Sequence, residues 1–338
     1  MGDCCCSHDD CACSGNITNL STKLSAKDSF GAFKARLGIG RMNYKVNPGL
    51  YSVGNPDCNS PVLVSANYKL TFDTLRKNLD GPDLWILILD TNGINVWCAA
   101  GGGSFGTGEL VSRIQKTGLS EIVAHRKLIL PQLGASGVSA HEVERLTGFS
   151  VIYGPVRASD IKEFLANNCT ATTEMRTVKF TFKDRLVLTP IEIVAIARTS
   201  MFVFGALFLL NLFIAKPFDV YDFVIYTGAA LVGSFLVPLL LPFIPGRAFA
   251  WKGWLLGFLW TLFALWLFGW YYAANLPVIF GYLLLLPALT GYIALNFTGC
   301  STFTSPSGVI KEMVLSLPPM IIAAIIGAGM LIFNHLTG

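Results

Sequence analysis

Charge is scarce in this sequence of 338 residues: 14% are Asp, Glu, Lys or Arg, against 53% that are hydrophobic. That ratio is too apolar for an ordinary soluble protein and places part of the chain in lipid. The scarcity is uneven, because from Thr199 onward the charged residues are just Lys216, Asp219, Asp222, Arg247, Lys252, Lys311 and Glu312. The shift marks a boundary between two domains. Also missing is any block of Lys and Arg interleaved with aromatics, and the net charge is a modest +4. A nucleic-acid partner is therefore set aside. Met1 to Asp28 is polar and lacks the apolar core of a secretory signal, so the soluble part is expected in the cytoplasm.

In that compartment the nine cysteines read as thiols or metal ligands rather than a disulfide framework. Cys4, Cys5, Cys6, Cys11 and Cys13 crowd beside His8, while Cys58, Cys98, Cys169 and Cys300 are scattered. The crowded spacing fits neither a zinc ribbon nor a four-cysteine iron–sulfur pattern. A tail that collects soft metals loosely and a tail that is merely disordered stay open as equal alternatives. Residues 1–45 are read as this Cys-rich, unstructured segment.

Between Pro61 and Phe164 short apolar runs alternate with helical stretches, the pattern of a sheet wrapped by helices. Val62 to Val64, Leu84 to Leu89 and Leu128 to Leu130 read as strands. Phe72, Leu75 and Leu79 recur at helical spacing, as do Leu110 with Ile114, Val143 with Leu146, and Ile161 with Phe164 and Leu165. A run such as Leu84–Leu89 suits a strand buried on both faces, so the expected fold is Rossmann-like α/β, with function gathered beyond the strand ends. Val178 to Leu188 alternates Lys179, Thr181 and Lys183 with Phe180 and Phe182, which suggests a last half-exposed strand, and Thr189-Pro190 looks like a helix start.

Five hydrophobic spans follow, about Val194 to Ala215, Asp222 to Phe243, Trp254 to Ala274, Pro277 to Phe297 and Leu315 to His335, each near the ~20 residues that cross a bilayer core. Arg247 with Lys252, and Lys311, fall in connections that belong inside by the positive-charge rule, which leaves the carboxy terminus outside an inner, cytoplasmic membrane. Membrane lipid is thus an expected partner. The expected division is 1–45, a soluble domain over 46–189, and a transmembrane domain over 190–338. With no charge well inside a span save Arg198 near the first entrance, the bundle reads as an anchor or docking platform rather than a pump.

The stretch from Asp90 to Thr107 follows the buried strand directly and opens with an Asn92-Gly93 turn, which is where an α/β site should sit. In a short helix from Asn95 to Gly101, Asn95, Cys98, Ala99 and Gly102 share one small, flat face, while Val96, Trp97 and Ala100 share another. A planar macrocycle fits the first face, with the Cys98 sulfur at its centre and Trp97 anchoring the other face in the core. From residue chemistry alone a lone buried cysteine is more often inert packing than a ligand, and both readings stay open. Gly101-Gly102-Gly103 lacks the Lys-Ser/Thr of a nucleotide P-loop and the spacing of a dinucleotide fingerprint.

Asn95-Val-Trp-Cys-Ala-Ala-Gly101 resembles the cap-helix motif of the mercury-methylating corrinoid proteins of the HgcA type, with Gly102 where that family usually has lysine. The likeness extends over Asn47-Pro-Gly-Leu-Tyr51, Ala66-Asn-Tyr-Lys-Leu70, Pro131-Gln-Leu-Gly134, Tyr153-Gly-Pro-Val-Arg157 and the five-span tail. Similar soluble segments occur in the corrinoid iron–sulfur proteins of acetyl-CoA metabolism, which lack the membrane bundle and whose four-cysteine cluster motif is missing here.

The resemblance implies an α/β Rossmann-like corrinoid-binding domain followed by an all-α transmembrane bundle of about five helices. It implies a cobalamin-type corrinoid cradled by Asn95, Val96, Trp97, Cys98, Ala99, Ala100, Gly101 and Gly102, with the catalytic Cys98 thiolate as lower axial ligand of cobalt. The Asp-x-His-x-x-Gly segment of an imidazole-ligated site is absent around His125 and His141. The implied reaction is methyl transfer from cobalt to mercury(II), with a methyl donor of folate type and a ferredoxin-like iron–sulfur protein as electron donor. Two alternatives go with it: a membrane-bound methyl carrier of one-carbon metabolism for which mercury is incidental, and a non-catalytic corrinoid-binding or sensory membrane protein.

Overall fold

A computed structural model describes residues 17–213, 217–269, 275–300 and 306–337. The clustered Cys4, Cys5, Cys6, Cys11 and Cys13, with His8, lie outside the described residues. The chain divides into two compact units, the first made of residues up to Ala35 with Ile39–Val178, the second of Arg36–Gly38 with Lys179–Gly338.

The first unit runs β1 (Thr18–Asn19), α1 (Ala26–Arg36), β2 (Gly49–Val53), β3 (Val62–Ala66), α2 (Lys69–Lys77), β4 (Leu84–Leu89), α3 (Val96–Gly101), α4 (Thr107–Lys116), α5 (Leu119–Ile122), β5 (Lys127–Leu130), α6 (Ala140–Thr147), β6 (Ser150–Tyr153), α7 (Ile161–Ala166) and α8 (Thr173–Arg176). Its six strands form one sheet in the order β1-β2-β4-β3-β5-β6. β4, β3, β5 and β6 are mutually parallel, and β2 lies antiparallel against β4 with Leu50 opposite Leu87.

Every residue of β3 and β4 is buried, because helices cover both faces of the sheet. Val62, Val64, Leu87 and Leu89 pack on one face with Leu110 and Ile114 of α4 and Val143 of α6. Leu63, Ile86 and Ile88 pack on the other with Phe72 and Leu75 of α2 and Phe164 of α7. From β3 the chain crosses through α2 to β4 on one side, then returns through α3, α4 and α5 to β5 on the other side of β3. The winding therefore reverses between β3 and β5, and a crevice opens at the carboxyl ends of those strands.

Several sequence expectations are corrected. Residues 1–45 are not wholly unstructured, since β1 and α1 form within them. Leu146, expected on the buried stripe of α6, is exposed. The expected strand over Val178 to Leu188 does not form: Thr181 instead caps a helix that begins at Phe182, its hydroxyl accepting from the Asp184 N–H while the Asp184 carboxylate accepts from the Thr181 N–H. Thr189-Pro190 lies inside that helix rather than at its start. Pro190 cannot donate to the Leu186 carbonyl, and the Thr189 hydroxyl donates to it at 3.0 Å in its place.

Among the described residues of the second unit, five helices are long and apolar enough to cross a membrane: Phe182–Leu210, Val220–Leu240, Phe249–Leu267, Leu276–Gly299 and Ser307–Thr337. The second contains a π-helical turn, Val232–Leu236, just ahead of Pro238. Glycines set the closest approach of third and fourth helices: a Cβ on Gly253 would stand 2.5 Å from the Thr290 carbonyl oxygen, too near to tolerate. Near the start of the second helix the buried Asp222 carboxylate accepts from the Tyr282 hydroxyl of the fourth.

Candidate functional site

The sheet aims the loop after β4 at the crevice, and one side chain organises that loop. Asn67, buried just past the end of β3, accepts from the Thr91 N–H (3.1 Å), the Thr91 hydroxyl (2.9 Å) and the Gly93 N–H (2.9 Å) through Oδ1. Its Nδ2 donates to Asp90 Oδ1 at 3.0 Å. The Asp90 N–H in turn donates to Glu109 of α4, whose carboxylate also pairs with Arg113 at 2.7 Å. Asn92 and Gly93 both take left-handed conformations, φ 56° and 75°, which turn the chain sharply out of the strand. Asn67, Thr91 and Glu109 were not singled out as site residues. The signal was a polar residue placed directly after a fully buried apolar strand, within Ala66–Leu70.

The turn launches α3. Asn95 is its N-cap, with Oδ1 accepting from the Cys98 N–H at 3.0 Å, so this side chain fixes the backbone under Cys98. Val96, Ala99 and Ala100 point into the core, where Phe105 and Val138 join them. The far end is held by close backbone approach: a Cβ on Gly137 would lie 2.2 Å from the Phe105 carbonyl oxygen and 2.9 Å from the Ala100 Cα. Gly103, at φ 83°, turns the chain away.

The faces of α3 differ from expectation. Cys98 is exposed, so the buried-packing reading of this cysteine fails. Ala99, expected beside it, is buried, whereas Gly101 and Gly102 share the open side with Cys98. A Cβ on Gly101 or Gly103 meets no atom within 4 Å. Trp97 is half-buried and lines the crevice instead of anchoring in the core. Together these residues present a thiol on a flat shelf of glycines.

The crevice itself is a mainly apolar cavity of about 360 Å³ between the ends of β3 and β5. Ser65, Thr71, Trp97, Pro131, Gly154 and Val156 are among its walls. Asn95 and Val96 also border it, while Cys98 stands on the adjoining surface. Tyr153, whose hydroxyl donates to the Val138 carbonyl at 2.7 Å, has its acidity lowered by burial and stays a neutral donor there. His125 belongs to the opposite end of the sheet, where Nε2 lies 2.9 Å from the Ser60 carbonyl oxygen. Among the described residues no group of three or more His, Cys, Asp or Glu is placed to hold a metal ion.

Residues 40–165, from just before β2 into α7, match the family described as CO dehydrogenase/acetyl-CoA synthase delta subunit. Subunit gamma of the acetyl-CoA decarbonylase/synthase complex from Methanocaldococcus jannaschii is 38% identical over 125 residues, which is 36% of this chain and 25% of that protein. The corresponding subunit from Methanopyrus kandleri is 40% identical over 124 residues, 36% of this chain and 26% of that protein. The one from Archaeoglobus fulgidus is 34% identical over 130 residues, covering 38% and 27%. The chain thus spans about a quarter of the length of these relatives. The part of this chain that the family model matches is the mixed sheet and its crevice, and the five long helices lie beyond the matched residues.

Proposed function

We propose that this chain is a membrane-anchored corrinoid methyltransferase whose acceptor is mercury(II). The observation that carries the reading is the exposed Cys98 thiol on the glycine shelf of α3, beside an apolar crevice at the switch point of the sheet. A planar macrocycle needs an unobstructed surface next to its donor atom, and Cys98, Gly101, Gly102 and Gly103 provide one. Similarity to the acetyl-CoA decarbonylase/synthase subunits supports a corrinoid as the group concerned.

A corrinoid held here would supply the cobalt chemistry for moving a methyl group to a soft acceptor, and the Cys98 thiolate would be a more electron-donating partner to it than an imidazole. The chain's own residues prepare this. Asn95 holds the Cys98 backbone, and Val96, Ala99 and Ala100 lock α3 onto the core, so the helix that carries the thiol keeps one position. Trp97 and its neighbours give the crevice a mainly apolar lining. Cys98 is the proposed lower donor to cobalt, Asn95 to Gly102 the proposed cradle. Mercury(II), a donor of folate type and a ferredoxin-like reductant complete the proposed cycle.

A second reading, a methyl carrier of one-carbon metabolism, is favoured by the acetyl-CoA-forming relatives and by Gly102, which removes a cation from the end of α3. The two separate in one experiment. The reduced, corrinoid-loaded full chain is given a methyl donor and mercury(II): methylmercury formed over many turnovers supports the first reading, and a protein that takes up methyl but yields none supports the second.

A further inference from the structure

Helix α1 is packed inside out. Its small residues and its single acid face the domain: Ala35 is buried, Gly31 lies against the Tyr44 ring, and Asp28 pairs with Lys69 at 2.6 Å and Arg76 at 2.8 Å. Its two aromatic residues face outward, Phe30 at 63% and Phe33 at 58% exposure. Lys27 and Lys34 flank them on one side and Arg36 on the other, all exposed, and the Lys34 ammonium lies 5.8 Å from the Phe30 ring centre. Just beyond the helix Ile39 and Met42 are exposed as well. Turning Gly31 and Ala35 inward while displaying two phenylalanines opposes the ordinary hydrophobic preference, so the outer face needs another apolar phase.

We infer that the outer face of α1 rests on the anionic headgroup surface of the bilayer, Phe30 and Phe33 dipping below the headgroups and Lys27, Lys34 and Arg36 meeting lipid phosphates. Bulky aromatics ringed by basic residues are what an interfacial helix presents, and its acid is turned away into an ion-pair network that holds the helix at fixed rotation. The occupant is lipid rather than a protein because the same chain carries five helices apolar enough to cross the bilayer. The tether keeps this face at high effective concentration near headgroups, where weak affinity suffices. The inference rests on the membrane reading of those helices and is independent of the corrinoid reading.

The test uses the full chain in nanodiscs, with a photoreactive benzophenone amino acid in place of Phe30, Phe33, Phe202 or Leu146. Phe202 is an outward residue of the first long helix and Leu146 an exposed residue of α6. After irradiation, adducts are identified by mass. Lipid adducts are expected at positions 30, 33 and 202 and not at 146, in discs containing phosphatidylglycerol. Lys27→Glu with Lys34→Glu should lower the yield at 30 and 33 by about tenfold or more and leave 202 unchanged. Adducts at 202 with none at 30 and 33, protein adducts at 30 and 33, or yields indifferent to the charge reversal would overturn the inference. Loss of lipid adducts at 202 too would overturn the membrane reading along with it.

Discussion

Cys98 stands on the open side of α3, so shortening it opens no cavity. Cys98→Ala should shift unfolding stability by no more than about 0.5 kcal/mol. Cys98→His keeps a cobalt donor, but one that gives less charge and needs more room, and should retain at most weak methyl transfer. Asn67 shows the opposite balance. Asn67→Ala leaves the backbone N–H groups of Thr91 and Gly93 buried without their acceptor, the Thr91 hydroxyl keeping the Ile94 carbonyl, and should cost about 3 kcal/mol in urea unfolding of the detergent-solubilised chain. It should also weaken corrinoid binding, because the loop that launches α3 loses its organiser. A variant of unchanged midpoint and affinity would show that Asn67 does not set that loop.

Legibility at the scale of elements follows burial. β3, β4 and most of β5 were readable because continuous apolar runs betray strands covered on both faces. β2 and β6 were missed: Gly49–Val53 and Ser150–Tyr153 are largely half-buried and mix polar with apolar residues without a clean period. The Lys/Phe alternation after Val178 looked like a strand, and the capping box of Thr181 and Asp184 decided for a helix. At α3 the motif was visible but its rotation was not, since which of Trp97, Cys98 and Ala99 turns inward depends on tertiary packing against Phe105 and Val138.

The element with a pH signature is α1. Hydrogen bonds from Lys69, Ser25 and Arg76 hold the Asp28 carboxyl well below the usual carboxylate range. A depressed folded-state pKa stabilises the docked helix above the unfolded value, near ~3.9, and that contribution is lost as pH falls below it toward the folded value. Amide exchange in α1 should therefore be protected at neutral pH and lose protection in acid below about pH 4. Asp28→Asn should show the weakened protection at every pH, and protection equal to that of the parent chain would contradict the role given to this network.

At the scale of the whole molecule, five helices among the described residues are long and apolar enough to cross a membrane, and if all five cross, the two ends of the bundle lie on opposite sides. With the first unit proposed inside, a reporter fused after Gly338 should be active on the outer face, and cytoplasmic activity would overturn that topology. Removing Met1 to Ser14 should slow methylation at low mercury and leave corrinoid binding intact, as expected of a segment that collects metal rather than catalyses. The central claim, that Cys98 is the lower donor to cobalt in a methyl-transferring site, is tested most directly by the absorption spectrum of the corrinoid bound to the full chain and to Cys98→Ala, read with methylmercury formation in the same samples. Corrinoid should still bind the variant, its spectrum should change to that of cobalt without a thiolate donor, and methylmercury should fall below detection. An unchanged spectrum with parental methylation in Cys98→Ala would contradict that claim.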